Sequence, residues 1–300
     1  MPQIRANGIA IEAESLGRDS DPAIVLIMGL GAHLTLWPDS LAEGLAARGY
    51  RVIRFDNRDV GLSEKLESLG PPDMGAVVAA YASGQLAPAA YDLSDMAADA
   101  AGVLSALGIE RAHIVGASMG GMIAQLVAAD YPERTLSLTS IMSTTGNRAL
   151  PPAKPEAMAV LNTPAPNPHE DMEGYLASAL ASARVIGSPG YPVNEAEHRA
   201  FAASNVQRSY YPVGFLRQYA AVLASPDRRP KLATITAPSL VIHGEADPLV
   251  PVEAGKDTAA NTPGAELLLV PGMGHDLPPA LYDTIVEAID QVAQRAKAEV

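Results

Sequence analysis

The chain contains no cysteine and comparatively few basic residues. Without cysteine it can form no disulfide, no thiolate nucleophile and no cysteine-ligated metal site, so any catalysis must use oxygen and nitrogen groups. It has 21 Lys and Arg against 34 Asp and Glu, which gives a formal net charge of −13. Because phosphate binding needs clustered Lys and Arg, this balance argues against nucleic acid and anionic membranes as partners.

Long hydrophobic runs are also missing. Runs such as residues 23–28 are far too short to span a bilayer, and no long apolar region follows the opening Met-Pro-Gln-Ile-Arg. We therefore expect a cytoplasmic protein that does not enter a membrane. The length of 300 residues and the hydrophobic fraction of 48% are typical of a globular chain with one large domain and an insertion, or two domains at most.

The most informative motif that is present is Gly-x-Ser-x-Gly at residues 116–120, between a short apolar run and a helix-like segment. This arrangement predicts a nucleophile elbow, in which Ser118 lies in a strained turn between strand and helix. Gly116 and Gly120 stand where a Cβ would collide with the neighbouring backbone. The N-terminus of the following helix would stabilise negative charge on a carbonyl oxygen, which favours acyl transfer.

A serine nucleophile needs a base, and the base needs a third group that orients it. The β-rich run 239–243 leads to Asp247, and the run 266–270 leads to His275. The order Ser, Asp, His along the chain is the one that the α/β-hydrolase topology imposes. We therefore predict that Ser118, Asp247 and His275 are the catalytic residues.

Two other positions are possible for the acid. Glu245 lies two residues before Asp247, but the turn at Asp247-Pro248 suits a triad acid better. The second position follows the predicted strand that ends at Ile141, where residues 143–145 carry only hydroxyl groups. Asp247 therefore remains the preferred acid.

Acyl transfer also requires an oxyanion hole, usually two backbone N–H groups that bind the developing oxyanion. The residue after the nucleophile, Met119, supplies one donor. The loop after an early strand supplies the other, and there Gly29 and Gly31 flank Leu30, whose N–H we predict as the second donor. A tight turn without a catalytic role would also favour these glycines.

Several side chains are candidates for a substrate pocket. His33 follows the predicted oxyanion loop, although a histidine in a turn is more often structural. The apolar lining of the pocket has four aromatic candidates, Trp37, Tyr210, Tyr211 and Phe215. Aromatic residues in a cap are more often simple packing residues.

The remaining charged and imidazole groups are interpreted as structural. Asp56 and Arg58 are expected to pair with each other in a loop that braces the site. No metal-ligand spacing joins the other histidines, so we expect no metal site. These histidines are His113, His169, His198 and His243.

The hydrophobic pattern predicts an α/β fold. Alternation in residues 3–14 around Asn7-Gly8 indicates an antiparallel hairpin, and short apolar runs then alternate with helical patterns, as in βαβ units. The predicted strands after the hairpin are 23–28, 51–55, the run before Ser118, 136–141, 239–243 and 266–270, and the predicted helices are 37–48, 93–107 and 119–131. We expect a mostly parallel eight-stranded sheet flanked by helices.

Between residues 144 and 229 the strand pattern stops, prolines cluster and helical patches appear at 172–184, 195–207 and 213–223. We predict a helical cap (144–229) inserted between the sixth and seventh strands, over the carboxyl ends of the sheet, and a core domain formed by residues 1–143 and 230–300. Because the predicted catalytic residues lie outside the insertion, we expect the cap to carry selectivity without forming part of the catalytic machinery.

Blocks of the chain resemble the signature motifs of α/β-hydrolase-fold carboxylesterases, and among these they are most similar to the aclacinomycin methylesterase type. The blocks are residues 27–31, 37–38, 54–63, 116–121, 243–251 and 271–275. The resemblance implies a nucleophilic Ser118 with Asp247 and His275 as its partners, and Leu30 and Met119 as oxyanion donors.

Two positions depart from the pattern of this family. Met28-Gly29 stands where many relatives have His-Gly, which leaves the backbone donor intact. Asp59 follows Arg58 where many relatives have glycine, and this change alters the loop beside the predicted site. The insertion matches the family least well, so the resemblance does not imply a particular substrate.

The function predicted from these residues is hydrolysis of carboxylic esters through an acyl-serine intermediate, with no metal or organic cofactor. The expected partner is a small-molecule ester, and the expected state is a monomer or homodimer. The same triad could instead open a lactone, cleave a carbon–carbon bond or catalyse perhydrolysis. The fold also serves as a ligand receptor with little turnover, which a kcat well below about 1 s⁻¹ on all esters would indicate.

Overall fold

Seven strands form one sheet in this computed structural model, which describes residues 3–298 and the side chains of residues 3–296. The sheet order is β3-β5-β4-β6-β7-β8-β9, with β3 antiparallel to β5 and all other pairs parallel. The strands are β3 (Ala13–Leu16), β4 (Ala23–Ile27), β5 (Arg51–Phe55), β6 (Ala112–Ala117), β7 (Thr135–Ile141), β8 (Ser239–Gly244) and β9 (Glu266–Val270). The predicted α/β fold with a mostly parallel sheet is confirmed.

The expected strand count of eight differs from the structure at the N-terminal hairpin. β1 (Ile4–Ala6) and β2 (Ile9–Ile11) pair only with each other, around Asn7 and Gly8, which both have positive φ as a two-residue hairpin requires. At Glu12 the chain leaves the hairpin, because the Glu12 N–H donates to Ser63 Oγ. Only the next four residues, as β3, join the large sheet.

Helices cover both faces of the sheet because β4 alternates its apolar side chains between them. Val25 and Ile27 belong to one buried cluster, with residues of α3 and α4, whereas Ile24 and Leu26 belong to the other, with residues of α1 and α11. These helices are α1 (Asp39–Ala47), α3 (Leu93–Ala106), α4 (Met119–Asp130) and α11 (Tyr282–Ala298). Two further helices are α2 (Met74–Ala82) and α10 (Val252–Asn261).

The sheet order places the predicted site. The chain runs from β4 outward to β5 and then returns to the other side of β4 as β6. In doubly wound sheets, ligands bind outside the carboxyl ends of the strands at such a switch point. Leu30 follows β4 and Ser118 follows β6, so the two strands beside the switch point carry the predicted oxyanion loop and nucleophile.

Helices fill the predicted insertion between β7 and β8. They are α5 (Pro155–Asn162), α6 (Met172–Ile186), α7 (Glu195–Arg208), α8 (Pro212–Ala224) and the single turn α9 (Arg229–Leu232). β7 and β8 are the fifth and sixth strands of the sheet. The insertion was expected between the sixth and seventh strands because that expectation counted both hairpin strands as part of the sheet. The cap as a separate domain with the stated boundaries stays a prediction.

No helix in residues 3–298 is long and apolar enough to cross a membrane.

Candidate active site

Ser118 lies in a sharp turn between β6 and α4. Its φ of 55° and ψ of −121° lie outside the regions that L-residues favour, a strain of about 1–3 kcal/mol. The turn is tight because glycine lies on both sides: a Cβ on Gly116 would lie 2.0 Å from Gly120 O, and a Cβ on Gly120 would lie 2.0 Å from Ile27 O. The turn has the geometry of a nucleophile elbow, and Ser118 itself remains half-buried.

The structure brings the three predicted catalytic side chains together. His275 Nε2 lies 2.9 Å from Ser118 Oγ, and His275 Nδ1 lies 2.7 Å from Asp247 Oδ2. The carboxylate favours the tautomer with hydrogen on Nδ1, which leaves Nε2 to accept the Ser118 proton. This chain of contacts can activate a hydroxyl nucleophile.

Backbone groups hold the carboxylate of Asp247 in place. Its other oxygen, Oδ1, accepts the N–H groups of Leu249 and Val250 at 2.9 and 2.8 Å, and the side chain is fully buried. Glu245, the alternative acid, is exposed and has no hydrogen bond to His275 in the described chain. The geometry therefore favours Asp247 over Glu245.

The loop after β4 lies against Ser118, as the oxyanion prediction requires. A Cβ on Gly29 would lie 3.1 Å from Ser118 Cβ and 3.5 Å from Ser118 Oγ. Within residues 3–298, the N–H groups of Leu30 and Met119 donate no hydrogen bond to another protein group. Both are therefore available to a substrate oxygen, and Met119 is the first residue of α4, where N–H groups have no partner within the helix.

The candidate pocket residues lie in different surroundings. Trp37 is fully buried in the core cluster that includes Leu41, and Tyr211, half-buried at the start of α8, accepts a hydrogen bond from Arg217. Phe215 on α8 contacts the oxyanion loop, since a Cβ on Gly31 would lie 2.6 Å from Phe215 Cδ2. Their roles in substrate binding stay predictions.

His33 sits in a charged neighbourhood beside the oxyanion loop. Burial lowers the pKa of His33, opposed by the charge of Asp56 and assisted by that of Arg208. Its Nδ1 is buried without a hydrogen-bond partner among the described residues. The lowered pKa favours the uncharged form of His33, whether it lines the pocket or is structural.

The expected pairing of Asp56 with Arg58 is wrong. Asp56 lies 2.7 Å from Arg208 at the end of α7, and Arg58 binds both oxygens of Asp99 on α3, at 2.6 and 2.7 Å. The pattern within residues 54–63 gave no information on these partners, because they lie far along the chain in other elements.

Asp59 occupies the position where relatives often have glycine. Its φ is +69°, a conformation that glycine favours, which explains the family pattern. The carboxylate in this chain binds Arg217 of α8 at 2.9 and 2.7 Å and accepts the Tyr91 hydroxyl at 2.9 Å. Asp59, at the position where relatives often have glycine, therefore anchors α8, a helix of the insertion.

The insertion also contacts the loop that carries His275. The His275 N–H donates to Ile186 O at 2.7 Å, and the Gly274 N–H donates to Ser188 Oγ at 2.8 Å. Ser188 also donates to Asp276, whose pKa is raised by burial. The end of α6 therefore supports the loop that carries His275. The division in which the core carries the catalytic residues and the insertion carries selectivity stays a prediction.

Sequence reasoning missed Ser188, Gln218 and Asn57. Asn57 Nδ2 donates to Met28 O at 2.8 Å and so supports the oxyanion loop; its place in the 54–63 block was a signal for such a role. Ser188 and Gln218 carry no local signal. No group of three or more His, Asp or Glu side chains in the described part of the chain is arranged to hold a metal ion.

The fold and this site define a hydrolase: residues 22–278 match the alpha/beta hydrolase fold family, and the chain belongs to it. It is 29% identical over 300 residues to a rhodomycin D methylesterase from Streptomyces peucetius, a match that covers 94% of each chain. It is 29% identical over 259 residues to a 2-hydroxy-6-oxononadienedioate hydrolase from Burkholderia vietnamiensis, covering 84% of this chain and 80% of that protein.

A solved structure shows the same fold. The meta-cleavage product hydrolase from Pseudomonas fluorescens matches with a TM-score of 0.76 at 20% identity, and the match covers 99% of this chain and 98% of the other. The family identified from the sequence motifs, with its likeness to methylesterases of the aclacinomycin type, is thereby confirmed.

Proposed function

We propose that the protein hydrolyses carboxylic esters of small molecules through an acyl-serine intermediate. The observation that carries the proposal is the hydrogen-bonded chain from Ser118 Oγ through His275 to Asp247. The elbow lies beside the backbone N–H groups of Leu30 and Met119, which have no partner among residues 3–298. The similarity to a rhodomycin D methylesterase over nearly the whole chain supports an ester as the substrate.

In the first step, His275 Nε2 takes the proton from Ser118 Oγ as the oxygen attacks the ester carbonyl. Asp247 stabilises the resulting imidazolium and keeps its orientation. The N–H groups of Leu30 and Met119 donate to the oxyanion of the tetrahedral intermediate. His275 then gives its proton to the leaving alkoxide, so that an alcohol departs and an acyl-serine remains.

The second step repeats this chemistry with water. His275 removes a proton from a water molecule, whose oxygen attacks the acyl carbonyl, and the same N–H groups stabilise the second oxyanion. The proton returns to Ser118 Oγ as the carboxylic acid is released. The residues present complete the cycle without a redox step, so the mechanism needs no organic cofactor.

An organophosphonate probe tests the nucleophile. We expect covalent labelling of Ser118 and hydrolysis of simple esters, and we expect Ser118→Ala to lose both, with kcat/KM reduced by about 10⁴-fold or more. Ser105→Ala is a matched control because Ser105 is exposed on α3, where its hydroxyl donates to Ala101 O and accepts from Arg134. Labelling of another serine, or equal activity of the Ser118→Ala variant, would refute the assignment.

Carbon–carbon bond cleavage is the second candidate, because a 2-hydroxy-6-oxononadienedioate hydrolase is 29% identical to this chain. A comparison of kcat/KM between ester and carbon–carbon substrates distinguishes the two functions. We expect kcat/KM for methyl and ethyl esters to exceed that for a 2-hydroxy-6-oxo-dienoate by at least about 10-fold, a difference of about 1.4 kcal/mol in transition-state binding. The reverse ranking would assign the site to carbon–carbon cleavage.

A further inference from the structure

One glutamine of the insertion connects two loops of the site. Gln218 lies on α8 and is fully buried. Its Oε1 accepts the Gly31 N–H at 2.8 Å, and its Nε2 donates to Arg58 O at 2.7 Å. Both ends of the amide are therefore satisfied by backbone groups, one in the loop after β4 and one in the loop after β5.

The bond to Gly31 controls the turn that carries the oxyanion donor. The Ala32 N–H donates to Gly29 O at 3.3 Å, and Gly31 has a φ of +66°, which is typical of the third residue of a type II turn. The Gly31 N–H belongs to the central peptide of this turn, directly after Leu30. A partner for that N–H fixes the plane of the central peptide and hence the direction of the preceding Leu30 N–H.

The turn is held from both ends by buried amides. Asn57 donates to Met28 O just before the turn, and Gln218 accepts from Gly31 within it. The position of Gln218 is set by the preceding residue, because Arg217 makes a fully buried ion pair with Asp59. The register of α8 is thus coupled to the loop that faces Ser118.

We propose that Gln218 is a positioning residue that orients the Leu30 N–H toward the oxyanion formed at Ser118. This inference rests on the proposed esterase function. Removing one oxyanion donor lowers kcat by about 10²–10³-fold, and a misaligned donor loses part of that contribution. The effect belongs to the transition state, so kcat falls while KM changes little.

Gln218→Met and Gln218→Glu test the role of the side chain. Methionine keeps the length but makes neither bond, whereas a glutamate carboxylate still accepts the Gly31 N–H. We expect kcat per active site, titrated with a phosphonate, to fall about 10–100-fold in Gln218→Met. We expect Gln218→Glu to retain a higher kcat than Gln218→Met, and Tyr219→Phe, which changes the neighbouring side chain on α8, to match the wild type.

A trifluoromethyl ketone separates positioning from folding, because its adduct with Ser118 places an oxyanion in the same hole. We expect the Ki of this inhibitor to rise in Gln218→Met by the same factor as kcat/KM falls, with the pH at half-maximal activity unchanged. Active-site titration removes unfolded protein from the comparison. A kcat and a Ki within about twofold of the wild type, or a Gln218→Glu variant no better than Gln218→Met, would overturn the proposal.

The wild type is assayed first, so that the two proposals fail in different ways. If the wild type neither hydrolyses esters nor binds the ketone, both the esterase function and the positioning role of Gln218 are wrong. If the wild type is active and the Gln218 variants match it, only the positioning role is wrong.

Discussion

The two oxygens of Asp247 have separate partners, and this division determines which substitution is informative. Oδ1 accepts two backbone N–H groups from the turn at 249–250, while Oδ2 alone faces His275. An asparagine would keep its carbonyl oxygen on the two donors and turn its NH₂ group toward His275 Nδ1. The imidazole would then hold its hydrogen on Nε2, where it can no longer accept the Ser118 proton.

We therefore expect Asp247→Asn to lower kcat by about 10⁴-fold with little change in KM or in thermal stability. The measurement is the steady-state rate on a simple ester, with the melting temperature as a check on folding. Glu245→Gln is the matched control, because Glu245 is an exposed carboxylate in the same turn. If Glu245→Gln were as impaired as Asp247→Asn, the assignment of the acid would be wrong.

At the level of single residues, sequence predicted what a local motif encodes. Ser118, Asp247 and His275 each follow a strand, and a topology rule brings the ends of parallel strands together. No such rule predicts the contact of Gln218 with Gly31. The two residues are 187 positions apart, and they meet only because α8 returns to the sheet. The partners of Asp56 and Arg58 were mispredicted for the same reason.

Among the helices of the insertion, prediction succeeded for three. α6, α7 and α8 begin or end within two residues of the predicted patches. α2 was missed because Met74–Ala82 contains no charged residue and so shows no amphipathic period. α5 was missed because its first residue, Pro155, was counted with the proline cluster, although proline is favoured at the first position of a helix.

The anchor of α8 is an ion pair in which Arg217 is 1% exposed and Asp59 is 0% exposed. We expect Asp59→Gly to reduce the free energy of unfolding by about 3–5 kcal/mol, because the guanidinium is then buried without its counter-ion. Glycine relieves the strain of the positive φ, but the uncompensated charge is the larger effect. Urea denaturation measures the change.

A double variant distinguishes the ion pair from a general effect of the substitution. Adding Arg217→Met to Asp59→Gly removes the unpaired charge and is expected to recover much of the lost stability. Asp227→Asn, which disrupts an exposed pair with Arg229, is the control and is expected to change stability by less than about 1 kcal/mol. A stability loss in Asp59→Gly below about 1 kcal/mol would contradict the anchoring role.

For the whole molecule, the buried imidazoles couple stability to pH. Burial is the main cause that lowers the pKa of His243 and of His33 below the usual value. His243 Nε2 donates to Val250 O, and its Nδ1 is buried without a partner in the described chain. Asp247 and Glu253 favour the protonated form of His243, whereas His275 opposes it, and burial outweighs all three.

The direction of the pH effect follows from these lowered pKa values. The unfolded chain takes up a proton on each imidazole near pH 6.5, whereas the folded protein does so only at lower pH. This contribution to stability is therefore fully present above about pH 6.5 and is lost as the pH falls below that value. The raised pKa values of Asp99 and Asp276 act in the opposite direction, because the folded protein protonates these carboxyls first as the pH falls.

His243→Gln tests this argument, since the glutamine amide can still donate to Val250 O but cannot titrate. We expect the wild type to lose stability between about pH 7 and 5.5, at up to about 1.4 kcal/mol per pH unit for each imidazole, and His243→Gln to lose clearly less. The urea midpoint at a series of pH values measures both slopes. His169→Gln, which removes an exposed imidazole, serves as the control and should follow the wild type. Parallel curves for the wild type and His243→Gln would show that the burial of His243 does not govern the acid sensitivity of the protein.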